Sequence, residues 1–191
     1  MVPMQSTDLT PEIRQTLLDV AMQSIQHGLS QGNPVVVTPG DYPELLQLPG
    51  ASFVTLNKHG KLRGCIGSLE AHQPLIQDVA EHAFDAAYRD PRFPPLSEHE
   101  VAQLDIHISI LTPPEPMEFD SEADLLKQIQ PGEDGLILEY AYHRGTFLPS
   151  VWDSLPEKQQ FLQQLKRKAG LPAAFWDTGI RVSRYHALMV E

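Results

Sequence analysis

Seventeen prolines divide this 191-residue chain into short pieces and fix where its helices and strands must stop. Proline locks φ and has no backbone N–H, so it suits loops, first helical turns and strand ends. Two clusters act as stops. Pro91, Pro94 and Pro95 follow an amphipathic run, and Pro113, Pro114 and Pro116 follow an alternating one. The amphipathic run opens at Pro74. Leu75, Ile76, Val79, Ala80, Ala83, Phe84 and Ala87 recur at helical spacing, which assigns Asp78, Glu81, His82 and Asp85 to the solvent side. In the alternating run, Leu104, Ile106, Ile108 and Ile110 interleave with Asp105, His107 and Ser109, the pattern of a strand with one buried face.

The remaining elements are equally short. Thr10-Pro11-Glu12 reads as a capped helix start, followed by Ile13, Leu17, Val20, Ala21 and Ile25, with Gly28 as the stop. Residues 34–37 read as a short strand. Residues 51–57 and 62–66, joined by Lys58-His59-Gly60-Lys61, read as a hairpin. Ser97-Glu98-His99-Glu100 is a capping box, and Glu98 and Glu100 read as a solvated face. Residues 121–130 predict a brief helix closed by Pro131-Gly132. His143-Arg144-Gly145 predicts a turn between strands at 136–142 and 146–148. Residues 158–169 predict a helix whose Lys166, Arg167 and Lys168 suit its negative end, with Gly170 as the cap. Residues 180–190 predict a last strand. Trp152 and Trp176 sit beside helix ends, where packing is the commoner role. Hairpins with helices between them predict an α+β fold with a mostly antiparallel sheet and flanking helices. One domain over 1–191 is expected, with a small second lobe from residues 31–50 or 112–131.

Charge and cysteine usage narrow the function classes. Fourteen basic against 25 acidic residues give a net charge of −11, which disfavours binding to phosphate backbones. Cys65 is the single cysteine, so neither an intramolecular disulfide nor a CxxC site can form. A reducing compartment, the cytoplasm, is expected. Residues 1–10 lack the basic and apolar runs of a signal peptide, and no stretch approaches the ~18 apolar residues of a membrane span. His72, His82, His99 and His107 show neither HExxH nor i,i+4 pairing, so no metal site is expected. Dinucleotide, Walker and serine-elbow patterns are absent from the sequence.

The stretch Leu62-Arg63-Gly64-Cys65-Ile66-Gly67 is the best candidate for a working centre. On a regular strand Arg63 and Cys65 share a face, about 6.5–7 Å apart, and a nearby guanidinium favours thiolate. Gly64 and Gly67 leave Cys65 uncrowded and let a ligand approach the backbone. Lys58, His59, Lys61 and Arg63 form a basic cluster in an acidic chain. Together these point to a pocket for a small anionic ligand, with Cys65 as catalytic nucleophile or contact and Arg63, Gly64 and Gly67 as ligand-binding residues. Arg92 and Arg144 are further candidates for that pocket. Asp90 and Arg92 could equally tie down their own loop. His59 or His107 could serve Cys65 as a base if the fold brings either near. The plain alternative is that Cys65 is a small core hydrophobe.

The same hexapeptide resembles the signature of the AMMECR family. Asp90-Pro91-Arg92-Phe93-Pro94-Pro95, Ile108-Ser109-Ile110-Leu111-Thr112-Pro113-Pro114 and Gly132-Glu133-Asp134-Gly135-Leu136-Ile137-Leu138 continue the match. Arg144-Gly145, Leu148-Pro149-Ser150-Val151, Phe161-Leu162 and Lys168-Ala169-Gly170-Leu171-Pro172 extend it through the last third. Val151-Trp152-Asp153-Ser154-Leu155 departs from the family pattern. The resemblance implies a two-lobed α+β fold and places the presumed site at Arg63, Gly64, Cys65 and Gly67. It also implies relatives of the AmmeMemoRadiSam protein A type, whose partners are a Memo-like protein and a radical-SAM protein. It supplies no cofactor and no settled activity. Three readings stay open: a partner-associated docking module, a cysteine-dependent enzyme acting on a small anionic substrate, and a protein in which Cys65 is purely structural.

Overall fold

The computed structural model describes residues 8–191. The chain forms two units. One runs to Leu111 and takes back Leu188–Glu191, and the other is Thr112–Ala187. Residues 31–50 lie inside the first unit, while residues 112–131 open the second.

The first unit begins with α1 (Pro11–Gln31), whose cap Thr10 accepts a hydrogen bond from the Ile13 N–H at 3.3 Å. Gly28 does not end this helix. It is buried where α1 meets Phe84 and Tyr88, and Gly32 ends the helix in the left-handed conformation at φ 70°. Residues 34–37 form no strand. Ser24 Oγ takes the Val35 N–H at 3.2 Å, Val37 is buried and Val36 is 90% exposed. After α2 (Glu44–Gln47), β1 (Pro49–Lys58) and β2 (Lys61–Gly67) make the expected hairpin. His59 and Gly60 turn it with φ of 51° and 72°, the paired left-handed residues that a two-residue turn requires. β3 (Gln73–Pro74) pairs with the start of β1, and α3 (Leu75–Tyr88), α4 (Glu98–Val101) and β4 (Leu104–Leu111) follow.

The second unit carries β5 (Glu115–Pro116), α5 (Glu122–Gln128), β6 (Gly135–Tyr140), β7 (His143–Phe147), α6 (Lys158–Lys168) and β8 (Arg181–Tyr185). Its antiparallel sheet has the order β5-β8-β6-β7. Leu125, Leu136, Leu138, Phe161, Leu162 and Leu165 fill its core. Trp152 belongs to that core, stacked on Phe161 with ring centroids 3.7 Å apart. The hairpin turn falls at Ala141 and Tyr142, not at residues 143–145. Gly145 is small for a different reason: a side chain there would run into the Ala169 backbone after α6. The expected last strand is two strands. The chain breaks at His186, where the Thr112 N–H donates to the His186 carbonyl and the His186 N–H donates to Thr112 Oγ1, both at 2.9 Å. β9 (Ala187–Val190) then returns to the first sheet.

That first sheet has the order β2-β1-β4-β9. Val54, Leu56, Ile108, Ile110 and Val190 face α1 and α3, whose Leu17, Ile25, Ile76 and Val79 complete one apolar layer. The architecture is α+β with antiparallel pairing, as the sequence pattern predicts. Among the described residues no helix is long and apolar enough to cross a membrane.

One assignment along α3 fails instructively. Asp78 and His82 are buried rather than wet. The Ser52 N–H and Ser52 Oγ donate to Asp78 Oδ2 at 2.8 and 2.6 Å, and His82 Nδ1 lies 3.1 Å from the same oxygen. Burial alone would lower the His82 pKa. The hydrogen bond to Asp78 and the charges of Asp78, Glu81 and Asp85 outweigh it, and the net shift from 6.5 is upward. A folded pKa above the unfolded one means that protonated His82 adds stability below about pH 6.5. That contribution is lost as pH rises through the shifted value. Urea unfolding should therefore show a stability decline above pH 6.5 that His82→Gln flattens. A decline that is identical in His82→Gln would show that Asp78 and His82 are not coupled.

Candidate functional site

β2 is an edge strand, and the site is built on the side that β1 does not cover. The Cys65 N–H donates to Asp90 Oδ2 at 2.9 Å, and the Cys65 carbonyl accepts from Arg92 Nη2 at 3.1 Å. Arg92 is joined to Asp90 by Nε at 2.9 Å, by Nη2 at 2.6 Å and by its backbone N–H at 3.0 Å. The Asp90–Arg92 fork thus offers Cys65 one acceptor and one donor, as a neighbouring strand would. The fork sits on a tight turn after α3, closed by the Phe93 N–H donating to the Asp90 carbonyl at 3.1 Å. The Asp90 side chain is 2% exposed and that of Arg92 is 54% exposed. Arg92's hydrogen bond holds the Asp90 carboxyl far below the usual carboxylate range against the opposing effect of burial, with help from the Cys65 and Arg92 N–H groups.

Arg63 takes a different path from the one simple alternation predicts. Asn57 pairs with Leu62 and Leu56 with Gly64, so Arg63 is the extra residue of a β-bulge. Its guanidinium is buried. Nε and Nη2 donate to Glu100 Oε1 and Oε2 at 2.9 and 3.1 Å, and Nη2 also reaches the Pro94 carbonyl at 3.0 Å. Among the described residues Nη1 has no hydrogen-bond partner, and the Phe93 ring centroid lies 5.8 Å from the guanidinium carbon. Lys58 Nζ joins Glu100 at 3.1 Å. Glu100 is therefore an ion-pair hub and not a solvated helix residue. Its carboxyl is also held far below the usual range, first by Arg63 and then by the Ser97 N–H.

Gly64 and Gly67 are small because of close packing. A Cβ on Gly64 would overlap the Ala86 carbonyl of α3, and one on Gly67 would overlap Phe53 and the Ser52 carbonyl. Gly64 therefore turns toward α3, and Cys65 turns to the opposite face of the sheet. There Cys65 is half-buried, and Thr55 Oγ1 lies 3.2 Å from its Sγ. Thr55 stands between Cys65 on β2 and His107 on β4 in the strand register. His107 is thus two strands from Cys65, roughly 9.5 Å across the sheet, and its Nδ1 lies 3.0 Å from Glu191 Oε2. His59 is at the hairpin turn, with Nε2 3.0 Å from Gln103 Oε1.

The structure gathers Arg63, Gly64, Cys65, Gly67 and Arg92 in the first unit. Arg144 belongs to the second, on β7, with its Nε 3.6 Å from Glu139 Oε1. Thr55 carries no site signal in the sequence, and Glu100 reads there as a capping residue on a solvated face. Among the described residues no group of three or more His, Cys, Asp or Glu side chains converges to hold a metal ion.

The sequence matches AMMECR1 over residues 18–190. This chain belongs to the AMMECR1 family. It is 40% identical to a protein of Methanothermobacter thermautotrophicus, with 96% of each chain covered. It is 38% identical to a protein of Methanocaldococcus jannaschii over 84% of this chain and 81% of that one. The crystal structure of an uncharacterized protein from Pyrococcus horikoshii has a TM-score of 0.85 to it at 34% identity, covering 94% and 91% of the two chains. In this AMMECR1 chain the hexapeptide is a bulged edge strand clamped by the Asp90–Arg92 loop.

The clamp has a testable energetic consequence. Gly64→Ala must push β2 away from the backbone of α3, and overpacking of that kind costs about 3 kcal/mol. Chemical denaturation should show that loss, while Lys61→Ala at the exposed strand start should stay within about 0.5 kcal/mol of wild type. A Gly64→Ala protein of wild-type stability would mean that the strand does not rest on Ala86.

Proposed function

We propose that this AMMECR1-family protein is a partner-associated component of an AmmeMemoRadiSam-type system in the cytoplasm. In this reading the Cys65 side of β2 meets a Memo-like or a radical-SAM protein. One observation carries it: the cations beside Cys65 are already neutralised within the chain. Arg63 is engaged by Glu100, and Arg92 is engaged by Asp90. Each guanidinium already has its charge balanced by a carboxylate, so a small anion gains little net attraction at either one. A protein surface can meet the half-exposed thiol and Thr55 without breaking either pair. The hexapeptide then acts as a recognition surface held rigid from behind.

A second reading is favoured by a specific contact. Thr55 Oγ1 at 3.2 Å from Sγ is within reach to donate a hydrogen bond to a thiolate, the form of cysteine that acts as a nucleophile. No substrate or cofactor follows from that contact.

Two measurements separate these readings. The full chain should co-purify with a Memo-like or radical-SAM protein from its own organism, and Cys65→Ala should weaken the complex at unchanged protein level. Recovery of neither partner would contradict the docking role. Alkylation of Cys65 across pH measures its reactivity. A midpoint near the ordinary thiol value of about 8.5 with slow labelling sets the enzyme reading aside.

A further inference from the structure

Lys58, His59, Lys61 and Arg63 crowd the β1–β2 turn of a chain whose net charge is −11. The left-handed residues His59 and Gly60 set Lys58 and Lys61 opposite each other as the last pair of the ladder. Like charges so placed repel unless a counter-charge stands near. Glu100 is that counter-charge, and it is shared. Its Oε1 lies 3.1 Å from Lys58 Nζ and 2.9 Å from Arg63 Nε. Among the described residues no carboxylate pairs with Lys61.

These side chains and Leu62 line a hollow of about 350 Å³. Among the described residues Glu100 is the one carboxylate on its wall, so one negative charge faces the three positive charges of Lys58, Lys61 and Arg63. Arg63 is committed to Glu100, and its unpartnered Nη1 is buried, so it adds charge beneath the hollow and no contact. The surplus lies on Lys58, whose side chain is 28% exposed, and on exposed Lys61. Beside them Leu62 is 44% exposed. Asn57 pairs with Leu62 and Thr55 pairs with Cys65, so Leu62 and Cys65 stand side by side on one face of the sheet.

We infer that this hollow seats a glutamate or aspartate side chain of a partner protein, with an apolar neighbour of that residue packed on Leu62. The inference rests on the docking role proposed above for the Cys65 face and specifies the partner's chemistry. A free anion gains only the attraction of two lysines, which salt screens over about 8 Å. A protein segment gains that attraction and the burial of Leu62 together, and the site offers both. A second copy of this chain fits poorly, because each copy brings a net charge of −11. Residues 1–7 contain no aspartate or glutamate, so they do not supply the carboxylate.

The test titrates the full chain with an end-blocked pentapeptide of alternating glutamate and leucine at low fixed ionic strength, read by backbone amide shifts. Saturable shifts should appear at Lys61 and Leu62. Lys61→Glu in the protein and glutamine for glutamate in the peptide should each weaken binding about tenfold, and Leu62→Ser about threefold. The glutamine peptide needs no protein variant, so the charge requirement is read on the wild-type fold. Inorganic phosphate at the peptide's concentration should not displace it. Charge-dependent peptide binding by a protein that recovers neither a Memo-like nor a radical-SAM partner supports the hollow and contradicts only those partners. The inference is overturned if the glutamine peptide binds as well, if Lys61→Glu binds unchanged, or if no saturable shift appears. It is overturned too if phosphate competes equally, which makes the hollow a small-anion site, or if the shifts follow self-association of the chain.

Discussion

The hydrogen bonds from Cys65 to the Asp90–Arg92 fork are what the rest of the site depends on. An edge strand has one side whose backbone groups must find water, a side chain or another strand. Here a buried carboxylate and a half-exposed guanidinium fill that role together, so the loop after α3 becomes a substitute neighbour for β2. Breaking such a pair by removing one partner costs about 3–5 kcal/mol when both charges are buried. Arg92 is half-exposed and water screens it, so the lower end of that range applies. Because Asp90 is charged in the folded state well below its ordinary range, this stabilisation is present above about pH 4 and is lost as pH falls through the depressed value. Glu100 follows the same rule through Arg63.

Two ion pairs therefore frame one thiol. Arg63–Glu100 fixes the bulge below it, and Arg92–Asp90 fixes the backbone at its own position. Neither pair needs the Cys65 side chain, which is left on the opposite face of the sheet beside Thr55. The rigidity of the hexapeptide and the openness of its cysteine come from the same arrangement. Charge is spent on positioning the backbone, and the half-buried sulfur takes no part in either pair.

Much of this fold is legible in the sequence because short amphipathic segments between prolines admit few alternatives. The hairpin, α3, the capping box and β4 follow from local chemistry alone. The site is legible only in outline. A regular hairpin counted from His59-Gly60 pairs Thr55 with Gly64; the bulge at Arg63 slides Cys65 into that place, and no local signal announces a bulge. Glu100 reads as a solvated capping residue because its second partner lies 37 positions away. Asp78 and His82 read as wet because helical spacing cannot show that β1 backs onto them with Ser52. Gly145 reads as a turn residue because sequence does not separate a glycine needed for a turn from one needed for a close approach. Each miss is a long-range contact overriding a correct local rule.

The Cys65 amide tests the central claim directly, because an uncapped edge N–H exchanges quickly and a bonded one does not. In the intact protein the Cys65 amide should exchange slowly, and Asp90→Ala should speed it by about two orders of magnitude while the Val54 amide, inside the β1–β2 ladder, stays slow. A Cys65 amide that exchanges as fast as open solvent-facing backbone in the intact protein would contradict the fork and the site built upon it.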